Sequence, residues 1–237
     1  MDIDALRRLT RDLVEEAWSE VSSLAAGETA QAVRHSLASY YLFASREYVE
    51  GTWQMLSENK LLPALTLSRW PLEAALNLLW VVADDKEVDQ RINDLRAKAL
   101  WQEEALQKGI AEAGVATPHG EAAKKAAKAA RNLRARSLDS LETRMGELEA
   151  TNVATEKLGK LGRWLYVYYR ICSTAIHAHP RVWEAPDKRV AKPWIIYRIA
   201  ASSPFYLVVN AHCLAGSGDI DRLYEWWAET ESLLDKE

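Results

Sequence analysis

Apolar residues recur every three or four positions along most of this chain, and that spacing predicts helices. Leu6, Leu9, Leu13, Ala17 and Val21 mark an amphipathic helix over about residues 3–25, ending before Gly27. Thr29 is placed to cap a second helix that carries Val33, Leu37, Tyr40, Tyr41, Ala44, Tyr48 and Met55 and runs to about Glu58. A third helix, about Leu61 to Ala83, is apolar nearly all round and so predicts the central, most buried element. Pro71 inside it lacks a backbone N–H and predicts a kink or an internal start. Alternating patterns bounded by Asn-Gly or Asp-Gly turns are missing, so no strands are expected.

The pattern changes over residues 85–150. Asp84-Asp85 opens a charged helix through about Glu112, Gly114 and Pro118 punctuate it, and a second charged helix runs from about Glu121 to Leu148. Their apolar positions are sparse and Ala-rich. Together they read as a charged helical hairpin, projecting from the body or lying across it, and less stable than the core. From Thr155 the core pattern returns with Leu158, Leu161, Leu165, Tyr168, Tyr169, Cys172 and Ile176, and Pro180 ends it. Residues 180–193 read as a surface loop. A helix resumes at Trp194 to about Ala200, and Ser203-Pro204 looks like the N-cap and first position of a new one, ending at Gly216-Ser217-Gly218. Asp219 then caps a last helix with Ile220, Leu223, Trp226, Trp227 and Leu233. The expected fold is all-α: one helical domain over 1–237, with a bundle core at about 28–83 and 155–216, a charged hairpin insertion at about 85–150 and a C-terminal helix at about 219–235.

Composition narrows the function classes. The formal charge is -4 over 237 residues, so no overall basic bias points to nucleic acid. Runs such as Leu78-Leu79-Trp80-Val81-Val82-Ala83 fall far short of the roughly 20 residues of a membrane span. The N-terminus shows no signal-peptide core, and two cysteines without Cys-x-x-Cys spacing argue against a disulfide scaffold or structural zinc. A cytoplasmic location, no membrane partner and no cofactor are the expectations. Ten Trp and nine Tyr against two Phe predict aromatic edges that reach polar partners, or an aromatic-lined pocket or interface. No phosphate-binding glycine loop, Gly-x-Ser-x-Gly elbow or His-Glu-x-x-His motif occurs.

Two groups of residues carry candidate chemistry. Arg69 and Glu73 stand four apart on the central helix, where charges are rarely buried without partners or purpose. Arg170 and His177 stand seven apart and share one face of a later helix, with Ser173 on the turn between them. An Arg beside an imidazole favours its neutral form, which accepts a proton near neutral pH. An Arg that holds phosphate next to a His that moves protons suits metal-independent RNA cleavage by the 2′-hydroxyl. The expectation is that Arg69, Glu73, Arg170, Ser173 and His177 converge in one partly buried polar site. The competing reading is a structural polar network in a non-catalytic binding or assembly module. Lys124, Lys128, Arg131 and Arg134 fall along one helical stripe, either a solvated face or a contact for RNA backbone or an acidic partner. His177 and His179 have no Asp or Glu at ligand spacing, so no metal site is expected; His35 and His212 read as structural, and His119 as a loop residue.

Arg170-x6-His177 resembles the Arg-x(4–6)-His motif of HEPN domains, with Ile171 at a position those nucleases usually fill with a polar residue. The resemblance implies an all-helical, often dimeric protein. It also implies a ribonuclease of a toxin–antitoxin or phage-defence system, with RNA as substrate and an antitoxin or defence protein as partner. On that basis His177 is the general acid or base, Arg170 the phosphate ligand, Arg69 an aid to charge stabilisation and Glu73 its orienting group. Over roughly residues 30–215 the chain also resembles an uncharacterised bacterial helical family. That family pairs a buried Arg-x3-Glu helix with a Tyr-Arg-x2-Ser-x3-His helix, here Arg69, Glu73, Tyr169, Arg170, Ser173 and His177. This second resemblance implies a shared polar site and no particular reaction.

Overall fold

Helix α1 (Ile3–Ser23) starts at Asp2, whose side chain accepts from the Ala5 N–H at 2.9 Å. Helix α2 (Ala30–Ser57) starts at Thr29, whose hydroxyl accepts from the Ala32 N–H at 3.2 Å. Helix α3 (Leu61–Val82) follows after Asn59, which adopts φ 56° and lets the Lys60 N–H reach back to the Met55 carbonyl at 2.7 Å. The remaining helices are α4 (Val88–Glu112), α5 (Leu141–Ala150), α6 (Glu156–Ile176), α7 (Pro193–Ala215) and α8 (Ile220–Leu234). The computed structural model describes residues 2–24, 29–112, 125, 128, 132, 140–150, 156–176 and 193–234, and among these it is all-helical with no strand.

The expectation for α3 holds. Leu65, Leu72, Leu76, Leu78, Leu79 and Trp80 are all fully buried along it. It packs against α2, α6 and α7, and also meets α4 and α5. Pro71 lies within one continuous α3 rather than opening a new helix. A helix covered on nearly every side gains enough apolar burial to tolerate the missing hydrogen bond, which costs about 3 kcal/mol.

The C-terminal part differs from expectation. Residues 193–215 form one helix through Pro204, with no break at Ser203. The Ser203 hydroxyl does not cap. It donates to the Ile199 carbonyl at 2.8 Å, one turn back, and Ser202 does the same to Arg198 at 2.6 Å. Burial of Ile199, Leu207, Val208 and Ala211, in a helix packed against α1, α2 and α3, carries it past the proline, and Asn210 donates to the Ala75 carbonyl of α3 at 3.0 Å. The end of α7 is as expected. Gly216 takes φ 65°, the Ser217 N–H reaches the His212 carbonyl at 3.1 Å, and the Asp219 carboxylate caps α8 through the Asp221 and Arg222 N–H groups.

The charged region is more deeply embedded than its composition implies. Val88, Arg91, Ile92 and Asp94 of α4 are buried, as are Leu141, Arg144, Met145 and Leu148 of α5. His35 ties three helix ends together. Its Nδ1 lies 2.7 Å from the Leu24 carbonyl and its Nε2 2.9 Å from the Ala215 carbonyl. Among the described residues no helix is long and apolar enough to cross a membrane.

Two glycines give opposite predictions. A Cβ on Gly218, where φ is 97°, would stand 2.5 Å from the His212 ring. Gly218→Ala is therefore expected to lose more than about 1 kcal/mol in urea denaturation. Gly146 in α5 has open space around its Cα, so Gly146→Ala is expected to gain about 0.5–1 kcal/mol. His212 is buried, and that burial lowers its pKa against a smaller opposing pull from Glu20. Below its ordinary value of 6.5 the unfolded chain then takes up the proton first, so this contribution is present above about pH 6.5 and is lost on acidification. Stability measured at pH 7.5 and pH 5 is expected to fall less in His212→Gln than in wild type.

Candidate functional site

Helices α3, α5 and α6 meet along a polar seam inside an otherwise apolar interface. The seam begins with Arg69 and Glu73, one turn apart on α3. Arg69 donates from Nη2 to the Tyr169 hydroxyl at 2.8 Å, and its guanidinium carbon lies 5.1 Å from the Tyr169 ring centre. On α6 the buried face is set by Leu165, Tyr169 and Cys172. Ser173 sits one turn beyond Tyr169, and its hydroxyl oxygen is sealed from solvent with no hydrogen-bond partner.

The residue that completes the seam is Arg144 of α5, 2 % exposed. It lies on one stripe with Leu141 and Leu148, and those apolar neighbours draw it inward. Burial lowers its pKa, opposed by Tyr41, Glu73, Tyr169 and Glu147, the groups that surround it. Its guanidinium carbon is 5.9 Å from the Trp80 ring centre, and Arg91 approaches the same ring at 5.2 Å while donating to the Trp80 carbonyl at 2.5 Å. The Trp80 indole donates to Glu147 at 2.9 Å. Tyr41 of α2 closes the seam and accepts from the Asn77 amide at 3.3 Å. Burial pushes the Tyr41 hydroxyl up to about 12 and the Cys172 thiol likewise up to about 12, in each case against a nearby arginine.

Arg69 and Glu73 lie one turn apart on α3 and Ser173 lies one turn beyond Tyr169, the residue that bonds Arg69, whereas Arg170 points to solvent. Arg170 is exposed, and a hydrogen bond to Tyr166 is the main cause that raises its pKa. The reason is angular. Consecutive helical residues point about 100° apart, so once Tyr169 faces Arg69, Arg170 turns outward. Tyr166 and Tyr169 stack at 6.0 Å and link the exposed arginine to the buried seam. Lys128 is helical and exposed. His177, His179, His119, Lys124, Arg131 and Arg134 lie outside the described residues.

Sequence reasoning missed Tyr41, Arg144 and Glu147. The apolar spacing Leu141, Met145, Leu148 was the available signal, since it puts Arg144 on an inward stripe. Among the described residues no group of three or more His, Cys, Asp or Glu side chains is arranged to hold a metal ion. Comparison with protein-family models, curated proteins and solved structures finds no match.

The seam gives a stability prediction. Removing one partner of a buried charge group leaves the others uncompensated, so Arg144→Met is expected to cost about 3–5 kcal/mol. Adding Glu73→Gln should restore at least about 1 kcal/mol of that loss, because the carboxylate left behind is then neutral. Strict additivity of the two changes in a denaturation cycle would show that Arg144 and Glu73 do not interact.

Proposed function

We propose that this chain is a non-catalytic helical binding or assembly module, in which the α3–α5–α6 seam is a structural polar network that fixes the surrounding helices. One observation carries the reading: Arg69 of α3 donates to the Tyr169 hydroxyl of α6 at 2.8 Å and lies 5.1 Å from its ring centre, so the seam's polar groups brace one helix against another. Burial pushes the Tyr41 hydroxyl and the Cys172 thiol up to about 12, away from the pKa near the operating pH that suits a general acid or base. Tyr169 and Arg144 tie α6 and α5 to α3, as a rigid binding scaffold requires.

A second reading is favoured by one specific observation, the exposure of Arg170 on α6. There a phosphate chain has access to the guanidinium, as a HEPN-like ribonuclease of a toxin or defence system needs. In that reading His177 moves the proton, Arg170 binds phosphate, and RNA and an antitoxin or defence protein are the partners. Incubation of the protein with RNA in EDTA separates the two. The binding module predicts intact RNA with wild type, Arg170→Ala and His177→Ala alike. Cleavage by wild type that falls roughly 100-fold or more in both variants would overturn it and establish the nuclease.

A further inference from the structure

We propose that the outer face of α6 is a docking surface for an acidic segment of a partner protein, one with apolar side chains at its centre. The inference rests on the binding-module reading and names the partner's chemistry. Trp164 is 64 % exposed and Val167 46 % exposed, although the opposite face of the same helix buries Leu165 and Cys172 completely. Arg163 and Arg170 are exposed as well. Positions 163, 164, 167 and 170 follow at helical spacing, so these side chains leave α6 on one face. The surface they make has an apolar centre and a guanidinium toward either end.

Single exposed apolar residues are ordinary on a protein surface. This pair differs in what it touches and in what flanks it. Phe43, also exposed, packs its ring on Trp18 at 5.7 Å with the Arg46 guanidinium 5.6 Å away. Among the described residues no ring or guanidinium packs on Trp164 in that way. An indole is among the largest apolar groups a protein can leave in water, and Trp and Arg are residues in which interface binding energy concentrates. Arg170 is hydrogen-bonded to Tyr166, which stacks on Tyr169 and so on the seam. It is therefore ordered before a partner arrives, which lowers the cost of binding.

Charge decides the partner. The α6 sequence contains Lys157, Lys160, Arg163 and Arg170 against one carboxylate, Glu156 at its first position. Four cations less one anion give +3 on this helix, in a chain whose formal charge is -4. Glu142 of α5 acts on Arg170 through space, and its single charge leaves the balance positive. A partner that carries Asp or Glu on both sides of an apolar row matches this surface, and a basic partner is repelled. Nucleic acid matches it less well. Single strands are held by stacking successive bases on aromatic faces, and of the four side chains only Trp164 has one.

Panning a phage-displayed random peptide library against the full chain tests the surface. Enriched peptides with Asp or Glu on both sides of aliphatic or aromatic residues are expected. Made synthetically, they should bind wild type saturably in fluorescence anisotropy and more weakly as salt is added. Trp164→Ser should weaken that binding roughly tenfold to 100-fold, and Arg170→Glu roughly three- to tenfold, as expected for an aromatic anchor and a rim charge. Both side chains are exposed, so Tm should match wild type; Val167→Asp keeps the face readable if Trp164→Ser fails to fold. Failure to enrich any peptide overturns the proposal, as does enrichment without acidic residues or binding that the variants leave unchanged. Single-stranded RNA that binds wild type and is lost in the variants, where acidic peptides do not bind, would also overturn it and assign the face to nucleic acid. Cleavage of RNA by wild type would instead overturn the binding-module reading, and that result comes from a separate assay.

Discussion

Helix α3 is apolar on almost its whole circumference, and the rest of the molecule is arranged to cover it. A helix of this composition is unstable in water until every side meets another element. Helices α2, α6 and α7 surround it, and α4 and α5 close what remains. Fully burying a Leu or Ile side chain contributes about 1.5–3 kcal/mol, and α3 buries Leu65, Leu72, Leu76, Leu78 and Leu79 completely. That burial also explains how two helices run through prolines. Pro71 lies in α3 itself and Pro204 in α7, which packs closely along it. In both, packing outweighs the loss of one backbone donor.

Covering α3 brings its polar residues inside as well. Arg69, Glu73 and Asn77 follow one another at single-turn intervals, so a polar stripe runs along the most buried helix. Each must be answered from another element. Tyr169 answers Arg69, Tyr41 answers the Asn77 amide, and Glu73 acts on Arg144 through space. Buried ion groups of this kind add little net stability, because desolvation offsets their attraction. Their effect is positional. A guanidinium over Trp80 and a tyrosine hydroxyl on Arg69 admit few alternative helix registers, so the seam specifies how α5 and α6 sit on α3.

Much of the fold was legible in the sequence, because period and caps are local. The starts at Thr29 and Asp219, the end at Gly216, and the central place of α3 all follow from residues within one or two turns. Ser203-Pro204 misled for the opposite reason. Serine before proline carries the local signature of a helix start, and only the tertiary burial of α7 shows that the serine bonds back one turn instead. The site was half legible. Spacing singled out Arg69, Glu73 and Ser173 as candidates, but charge-rich composition concealed Arg144. Its neighbours Glu142, Thr143, Gly146 and Glu147 read as a solvated face, and three apolar residues on one stripe outweigh them.

Arg170 shows the limit of spacing arguments most clearly. Residues seven apart share a face of a helix, but spacing does not say which face the protein covers. On α6 the covered face is chosen by Leu165, Tyr169 and Cys172, and a one-position offset turns the next residue out to solvent. The outcome is two tiers of positive charge on one helix–helix junction. Arg69 and Arg144 lie in the interior among hydroxyls and carboxylates, while Arg170 lies at the surface with Tyr166. The tiers differ in what can reach them. Interior guanidiniums meet the neighbours the fold gives them, and interact strongly with them because water is scarce. The surface guanidinium meets ligands of any size, but is screened by solvent and salt. The stacked Tyr166 and Tyr169 rings stand between them, so a shift of α6 that moves one tier moves the other.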